Sequence, residues 1–198
     1  MARLGGAVPT ADRILDVAER LTQTRGYNGF SYADVSSALR IEKASVHYHF
    51  PTKAELGVRM VARYRERFDG ALDRVEREAS GAPERLRRYA EIWSGVLRDG
   101  GRMCLCGMLA AEVETLPRRV REALMGFFDA NEAWLSATLA AGRKARLLRF
   151  EGSPLAEARA LLTGLEGAML LARGYGEPGR FEAVAARLLH RVGVPSFD

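Results

Sequence analysis

The sequence has few of the residues on which disulfide-rich, zinc-binding and acid–base catalytic proteins depend. Its 198 residues include only two cysteines, Cys104 and Cys106, and only three histidines. Two cysteines are too few for a secreted disulfide scaffold, and no second Cys/His cluster stands at zinc-ligand spacing. The nucleophile motif GxSxG, a P-loop and the zinc motif HExxH are also missing. An enzyme is therefore the weaker interpretation, and we expect no cofactor and no metal.

Long apolar runs are absent as well. No segment approaches the roughly 20 apolar residues of a membrane-spanning helix. The N-terminal sequence MARLGGAVPTADR has no apolar core of the kind found in signal peptides. We therefore predict a reduced, cytoplasmic protein with no membrane association.

Helical periodicity dominates the sequence, and the alternation typical of strands is nearly absent. Glycine and proline breaks divide the chain into about nine helices, so we predict an all-α fold. Residues 1–9 are expected to form a flexible arm before a helix that Thr10 caps. We assign residues 1–53 to a small three-helix domain and residues 54–198 to a larger helical domain, with a long fourth helix linking them.

The second helix has several independent start signals. Ser31 and Asp34 match a capping box, in which each residue satisfies a free backbone group of the other. Phe30 and Val35 match the hydrophobic staple that flanks the same helix start. This boundary is therefore the best defined one in the sequence.

The third helix is also short and follows the second after a tight turn. A turn over residues 40–42 leads into a third helix over residues 43–49, which Pro51 ends. Thr52 and Glu55 form another capping box at the start of the fourth helix. Two short helices joined by a tight turn are the pattern of a helix-turn-helix.

The third helix carries polar, cationic and aromatic side chains in a row, as a helix that enters the DNA major groove requires. Lys43 can reach a phosphate or a guanine edge, Ser45 and His47 can face base edges, and the Tyr48 hydroxyl suits a phosphate oxygen. The next helix offers its N-terminal N–H groups to another phosphate. We predict double-stranded DNA as a partner, contacted by Ser31, Tyr32, Lys43, Ala44, Ser45, His47, Tyr48, His49, Thr52 and Lys53.

Charge supports this prediction only weakly. The net charge of +5 favours an anionic partner without establishing one. Residues 1–53 contain seven basic and five acidic residues, so geometry would have to focus the charge. A plain surface helix in an adaptor without a DNA role is the alternative.

The run VHYHFPTKAEL, residues 46–56, resembles the signature of the TetR family of transcriptional regulators. In that family an aromatic pair, a phenylalanine, a lysine and a leucine recur at this spacing, and the layout of about nine helices is similar. The resemblance implies a homodimer that binds palindromic DNA, most often as a repressor. It also implies that a small molecule releases this homodimer from the DNA. Arg40 departs from the family pattern because the turn often has glycine there, and Glu42 replaces a small capping residue.

The resemblance also implies a ligand cavity between the helices of the larger domain, where large soft side chains gather. Apolar walls with a few polar groups are the usual composition of such a cavity. Ordinary core packing is the alternative role for each of these side chains. The predicted ligand contacts are Trp93, Cys104, Met108, Glu112, Phe128, Trp134, Met169 and Arg173.

The two cysteines suggest an alternative mode of sensing. Arg102 and the helix start after Gly101 would both lower the pKa of a nearby thiol and make it reactive. The run CLCGMLAAEV resembles the corresponding helix of TetR-like repressors that sense electrophiles or oxidants, with Cys104 at the matching place. Two buried, inert thiols are the competing interpretation.

The eighth helix is apolar over more than one narrow face, and the ninth has an apolar stripe of its own; the residues involved include Leu155, Leu162, Leu171, Val184 and Leu188. A helix that is apolar over a wide arc needs two partners. One is the rest of its own domain, and the other would be the same helices of a second subunit across a two-fold axis. We therefore predict a homodimer formed through these two helices.

Overall fold

The computed structural model describes residues 9–195, so the predicted arm lies, apart from Pro9, outside the described residues. Within that range the chain forms nine α-helices and one short 3-10 helix without any strand, which confirms the all-α prediction. None of these helices is long and apolar enough to cross a membrane. The elements are α1 (Thr10–Arg25), α2 (Tyr32–Leu39), α3 (Lys43–His49), α4 (Lys53–Glu78), α5 (Ala82–Arg98), α6 (Leu105–Ala111), the 3-10 helix (Val113–Thr115), α7 (Arg118–Lys144), α8 (Pro154–Tyr175) and α9 (Gly179–Arg191).

The first three helices pack into a small unit, which we call the head (residues 10–50). Its interior includes Ile14, Val35 and Val46, which are fully buried. Helix α1 begins at Thr10 itself, and Pro9 occupies the capping position, where its carbonyl accepts the N–H groups of residues 12 and 13. The predicted Thr10 cap is therefore wrong by one residue, because the threonine hydroxyl already lies within the helix.

The long helix α4 leaves the head and enters the body, which we define as α5 to α9 (residues 82–191). Near the head, Arg63 pairs with Asp16 at 2.7 Å, and Arg67 pairs with the buried carboxylate of Glu19. These ion pairs join α1 to α4, so the position of the head depends on the direction of α4.

Aromatic side chains of α4 pack against those of α5 and α7 and complete the core of the body. The ring centroid of Phe68 lies 6.0 Å from that of Tyr89, 5.9 Å from Trp93 and 5.3 Å from Phe127, each in an edge-on arrangement. Tyr89, Trp93 and Phe127 are at most 1% exposed. Large rings buried in this geometry contribute strongly to the stability of a core.

Candidate functional site

Helix α2 starts where its sequence predicts. The Asp34 carboxylate accepts the backbone N–H of Ser31 at 2.8 Å and the Ser31 hydroxyl at 2.7 Å. These hydrogen bonds from Ser31 lower the pKa of Asp34. The next residue, Tyr32, is buried, and its hydroxyl donates to the carbonyl of Phe50 at 2.8 Å. Tyr32, a predicted DNA contact, therefore holds the end of α3 from inside the head.

The turn between α2 and α3 has its least usual residue at Arg40. This arginine adopts the left-handed conformation, with φ 53° and ψ 48°. The Arg40 N–H donates to the carbonyl of Ser37, and the Ile41 N–H donates to that of Ser36. This pair of bonds forms a Schellman motif, which usually has glycine at the left-handed position. The turn therefore keeps the geometry of a glycine turn while carrying an arginine.

The outer face of α3 carries the side chains predicted to contact DNA. Tyr48 is 83% exposed and meets the edge of the His49 ring at 5.2 Å, whereas Val46 on the opposite side is fully buried. The His47 ring packs on Tyr32 at 4.7 Å, which limits its orientation. The face combines exposed and half-buried side chains, namely Lys43, Ala44, Ser45, His47, Tyr48 and His49.

The start of α4 lies beside this face. Thr52 is exposed, and its hydroxyl accepts the N–H of Glu55 at 3.2 Å. The Lys53 ammonium turns inward and donates to the carbonyl of Phe30, 4.3 Å from the Phe30 ring centroid and 4.7 Å from that of Tyr27. Burial lowers the pKa of Lys53. With its ammonium turned inward, Lys53 can offer a phosphate at the start of α4 only its backbone N–H.

Most of the predicted ligand contacts lie in the core of the body. Trp93, Cys104 and Met169 are buried, and the Cys104 N–H donates to the Met169 sulfur at 3.1 Å. Trp134 is half-buried and stacks on Tyr89, with ring centroids 5.5 Å apart. Met108 and Phe128 are half-buried at the edge of the same core.

Glu112 and Arg173, also predicted as ligand contacts, lie at the junction of the head and the body. The Glu112 carboxylate accepts the backbone N–H of Asn28 at 3.0 Å. Arg173 donates to the carbonyl of Thr24 at 2.7 Å and to the sulfur of Met108 at 3.5 Å. Both polar groups are therefore engaged in holding the end of α1.

The environment of Cys104 favours an inert, buried thiol over an activated one. Burial raises the pKa of the Cys104 thiol well above its usual range, and the adjacent Cys106 raises it further. The Arg102 guanidinium binds the carboxylate and carbonyl of Asp99. Cys104 does precede α6, and its sulfur accepts the N–H of Gly107 at 3.5 Å, but desolvation outweighs this effect.

A buried carboxyl on α8 escaped the sequence analysis. Burial raises the pKa of Glu166 well above its usual range, with a further rise from Cys104. Gly107 leaves room for it, because an added Cβ there would lie 2.4 Å from Glu166 Oε2. The sequence feature that could have revealed this carboxyl is a single acidic residue within the apolar run LLTGLEGAML of α8.

A cleft of about 730 Å³ opens between α1, α4 and α5, and none of the predicted ligand contacts lines it. Among residues 9–195 no group of His, Cys, Asp or Glu side chains is arranged to hold a metal ion. The surfaces that stand out are therefore the α3 face and this cleft.

Comparison with known proteins identifies the family of the chain. Residues 14–60 match the family of bacterial regulatory proteins named tetR, and residues 82–188 match a tetracyclin repressor-like C-terminal domain. A TetR-family transcriptional regulator from Agrobacterium tumefaciens has a similar solved structure, with a TM-score of 0.89 and 36% identity, covering 92% of this chain and 96% of that one.

Two named regulators are similar in sequence. Transcriptional regulator AcuR of Cereibacter sphaeroides is 34% identical over 161 residues, which cover 78% of this chain and 72% of AcuR. The transcriptional repressor NemR of Escherichia coli K12 is 28% identical over 167 residues, which cover 83% of this chain and 84% of NemR. The chain therefore belongs to the TetR family and is a ligand-responsive, DNA-binding transcriptional regulator rather than an enzyme.

Proposed function

We propose that the protein is a repressor that binds a palindromic operator as a homodimer and leaves it when a small molecule binds. The exposed face of α3 is the observation that carries this proposal. Val46 and Phe50 bury one side of this short helix, and Tyr32 holds its end. A rigid helix with a polar and aromatic outer face suits insertion into a major groove.

Individual contacts follow from the chemistry of this face. Ser45 and His47 are positioned for base edges, and Lys43 for a phosphate or a guanine. The Tyr48 hydroxyl, on a ring that is 83% exposed, suits a phosphate oxygen. The N–H groups at the start of α4, next to Thr52, are available to a second phosphate.

The proposed homodimer forms through the outward faces of α8 and α9. Leu170 and Leu171 are 57% and 61% exposed, and Leu155 and Val184 are 41% and 40% exposed. Helices α8 and α9 are packed side by side, and large exposed apolar side chains on neighbouring helices are typical of interaction sites. A two-fold axis at this surface would let each patch cover its own copy.

Sensing through Cys104 is the second candidate function, and its environment disfavours it. A reactive thiol is exposed and lies near positive charge, whereas Cys104 is fully buried and its pKa is raised. Reversible binding of a small molecule therefore remains the better proposal. If an electrophile released Cys104→Ser from DNA as it does the wild type, sensing through this thiol would be excluded.

A mobility-shift experiment tests DNA binding directly. The target is a palindrome in the DNA that flanks the gene, confirmed by protection with the purified protein. Wild-type binding should weaken steeply as salt rises, and Tyr48→Ala should weaken it by about tenfold. Met125→Ala, which truncates an exposed side chain on α7 in the body, is the control. Normal binding by Tyr48→Ala would refute the assignment of α3.

The location of the protein in the cytoplasm stays a prediction.

A further inference from the structure

We propose that the effector binds in the cleft between the head and the body, and that it is a flat apolar molecule with one anionic group. This inference rests on the proposed function and adds to it a site and a ligand class. The cleft has a volume of about 730 Å³, which lies within the usual range for small-molecule sites. The ligand contacts predicted from the sequence do not line this cleft.

Aromatic and aliphatic side chains of α4 and α5 form one side of the cleft, and charged and polar side chains form the rest. Tyr64 and Phe68 of α4 contribute ring edges, each residue being 6% exposed, and Ile92 and Val96 of α5 contribute branched side chains. Gly95 also lines the cleft, and a Cβ added there would meet no atom within 4 Å. The α5 side of the cleft therefore has free space next to an apolar wall, where a flat ring system can bind.

The charged side chains around the cleft leave one cation without a partner. Arg67 pairs with Glu19, and Arg102 pairs with Asp99, so these charges are largely satisfied. Arg20 of α1 also lines the cleft and is exposed, and it forms no ion pair with any residue in the described range. A guanidinium at the edge of an apolar site favours a carboxylate or sulfonate on the ligand.

The position of the cleft connects ligand binding to the head. Arg20 belongs to α1 in the head, whereas Val96 belongs to α5 in the body, so one ligand would contact both. Thr24, which lines the same cleft, also accepts the hydrogen bond from Arg173. A ligand here would hold the head in one position relative to the body. Two heads must adjust their spacing to reach two half-sites one DNA turn apart, so we expect the ligand to release DNA.

Two fluorescent probes test the ligand class. The anionic probe is 8-anilinonaphthalene-1-sulfonate, and N-phenyl-1-naphthylamine has the same ring skeleton without the charge. We expect saturable binding of the anionic probe to the full-length wild type. Arg20→Gln should weaken its binding about tenfold and leave the neutral probe unaffected. Arg13→Gln, an exposed arginine on α1 outside the cleft, is the matched control. Equal losses for both probes in Arg20→Gln would overturn the anionic class.

A second pair of variants tests the site itself. Gly95→Phe fills the cleft from α5 and should weaken binding of the anionic probe by at least about tenfold. Gly70→Phe makes the same change in α4 at another position where an added Cβ meets nothing, outside the cleft, and should bind the probe normally. Thermal unfolding of both variants checks that they fold. Wild-type probe affinity in a folded Gly95→Phe variant would overturn the proposed site.

The last measurement separates this inference from the proposed function. Saturating anionic probe should weaken operator binding by the wild type and by Gly70→Phe, but not by Gly95→Phe. If the probe binds in the cleft and operator binding does not change, the cleft is not the effector site. If the wild type binds no operator in the absence of probe, the proposed function fails, while the probe titrations still decide whether the cleft binds ligand.

Discussion

The Glu112 carboxylate accepts the backbone N–H of Asn28 at 3.0 Å and the Asn28 side-chain amide at 3.3 Å. Gly26 makes this approach possible: its φ is 88°, and an added Cβ would lie 2.2 Å from Glu112 Oε1. Arg173 binds the nearby carbonyl of Thr24. Two polar residues of the body therefore hold the end of α1, and any movement of the head relative to the body must break or carry these contacts.

Loss of the Glu112 carboxylate should destabilise the protein. We expect Glu112→Ala to lower the free energy of unfolding by about 1–2 kcal/mol, because a charged acceptor is removed from two donors. Urea denaturation measures the change. Glu114→Ala, an exposed residue of the neighbouring 3-10 helix, should change stability by less than about 0.5 kcal/mol. Equal effects of the two substitutions would show that the junction contributes nothing specific.

Replacement of the left-handed Arg40 by glycine should stabilise the protein. Because Arg40 has φ 53°, its Cβ lies too close to the backbone, and glycine avoids this clash because it has no Cβ. We expect Arg40→Gly to raise the free energy of unfolding by about 1 kcal/mol. Ala38→Gly in the preceding helix should do the opposite and lower it by about 0.5–1 kcal/mol. Chemical denaturation of both variants decides the point, and a destabilised Arg40→Gly would mean that the arginine side chain stabilises the turn.

Lys43 should contribute one phosphate contact. The slope of log K against log salt is negative, and removal of one phosphate contact reduces its magnitude by about 1. We expect this change for Lys43→Ala in mobility shifts over a salt series. The chain has only two other lysines, and the exposed Lys144 at the end of α7 provides a matched control that should keep the wild-type slope. An unchanged slope for Lys43→Ala would remove Lys43 from the DNA contacts.

Glu166 should make stability depend on pH. Burial raises its pKa in the folded protein above the ordinary value of 4.5. A carboxyl with a raised folded pKa stabilises the fold fully below the unfolded pKa, and this contribution is lost as the pH rises through the folded pKa. Glu166→Gln keeps a neutral group of similar shape, so its stability relative to the wild type should be greater at high pH than at low pH.

Urea denaturation at about pH 5 and about pH 8 measures this dependence. The advantage of Glu166→Gln over the wild type should grow between the two pH values. The matched control is Glu151→Gln, at an exposed position between α7 and α8, and its stability relative to the wild type should not depend on pH in this way. A constant difference for Glu166→Gln would mean that the carboxyl titrates in its ordinary range.

The head was predictable because its signals are local. The capping box of Ser31 and Asp34 acts over three residues, and the predicted bounds of α3 agree with Lys43–His49. The left-handed turn at Arg40 is also determined by hydrogen bonds within five residues. Capping residues, turns and helical periodicity act over one or two turns of helix, so the sequence alone determined the helices and the helix-turn-helix.

Only the tertiary structure decided where the functional side chains point. Lys53 turns inward because Phe30 and Tyr27 surround its ammonium, and Arg173 reaches Thr24 across 149 residues of sequence. The same holds for the burial of Cys104, which reverses the effect expected from its helix start. Periodicity identifies which face of a helix is buried, but the neighbour that covers this face, and the cleft that stays open, depend on how separate helices pack together.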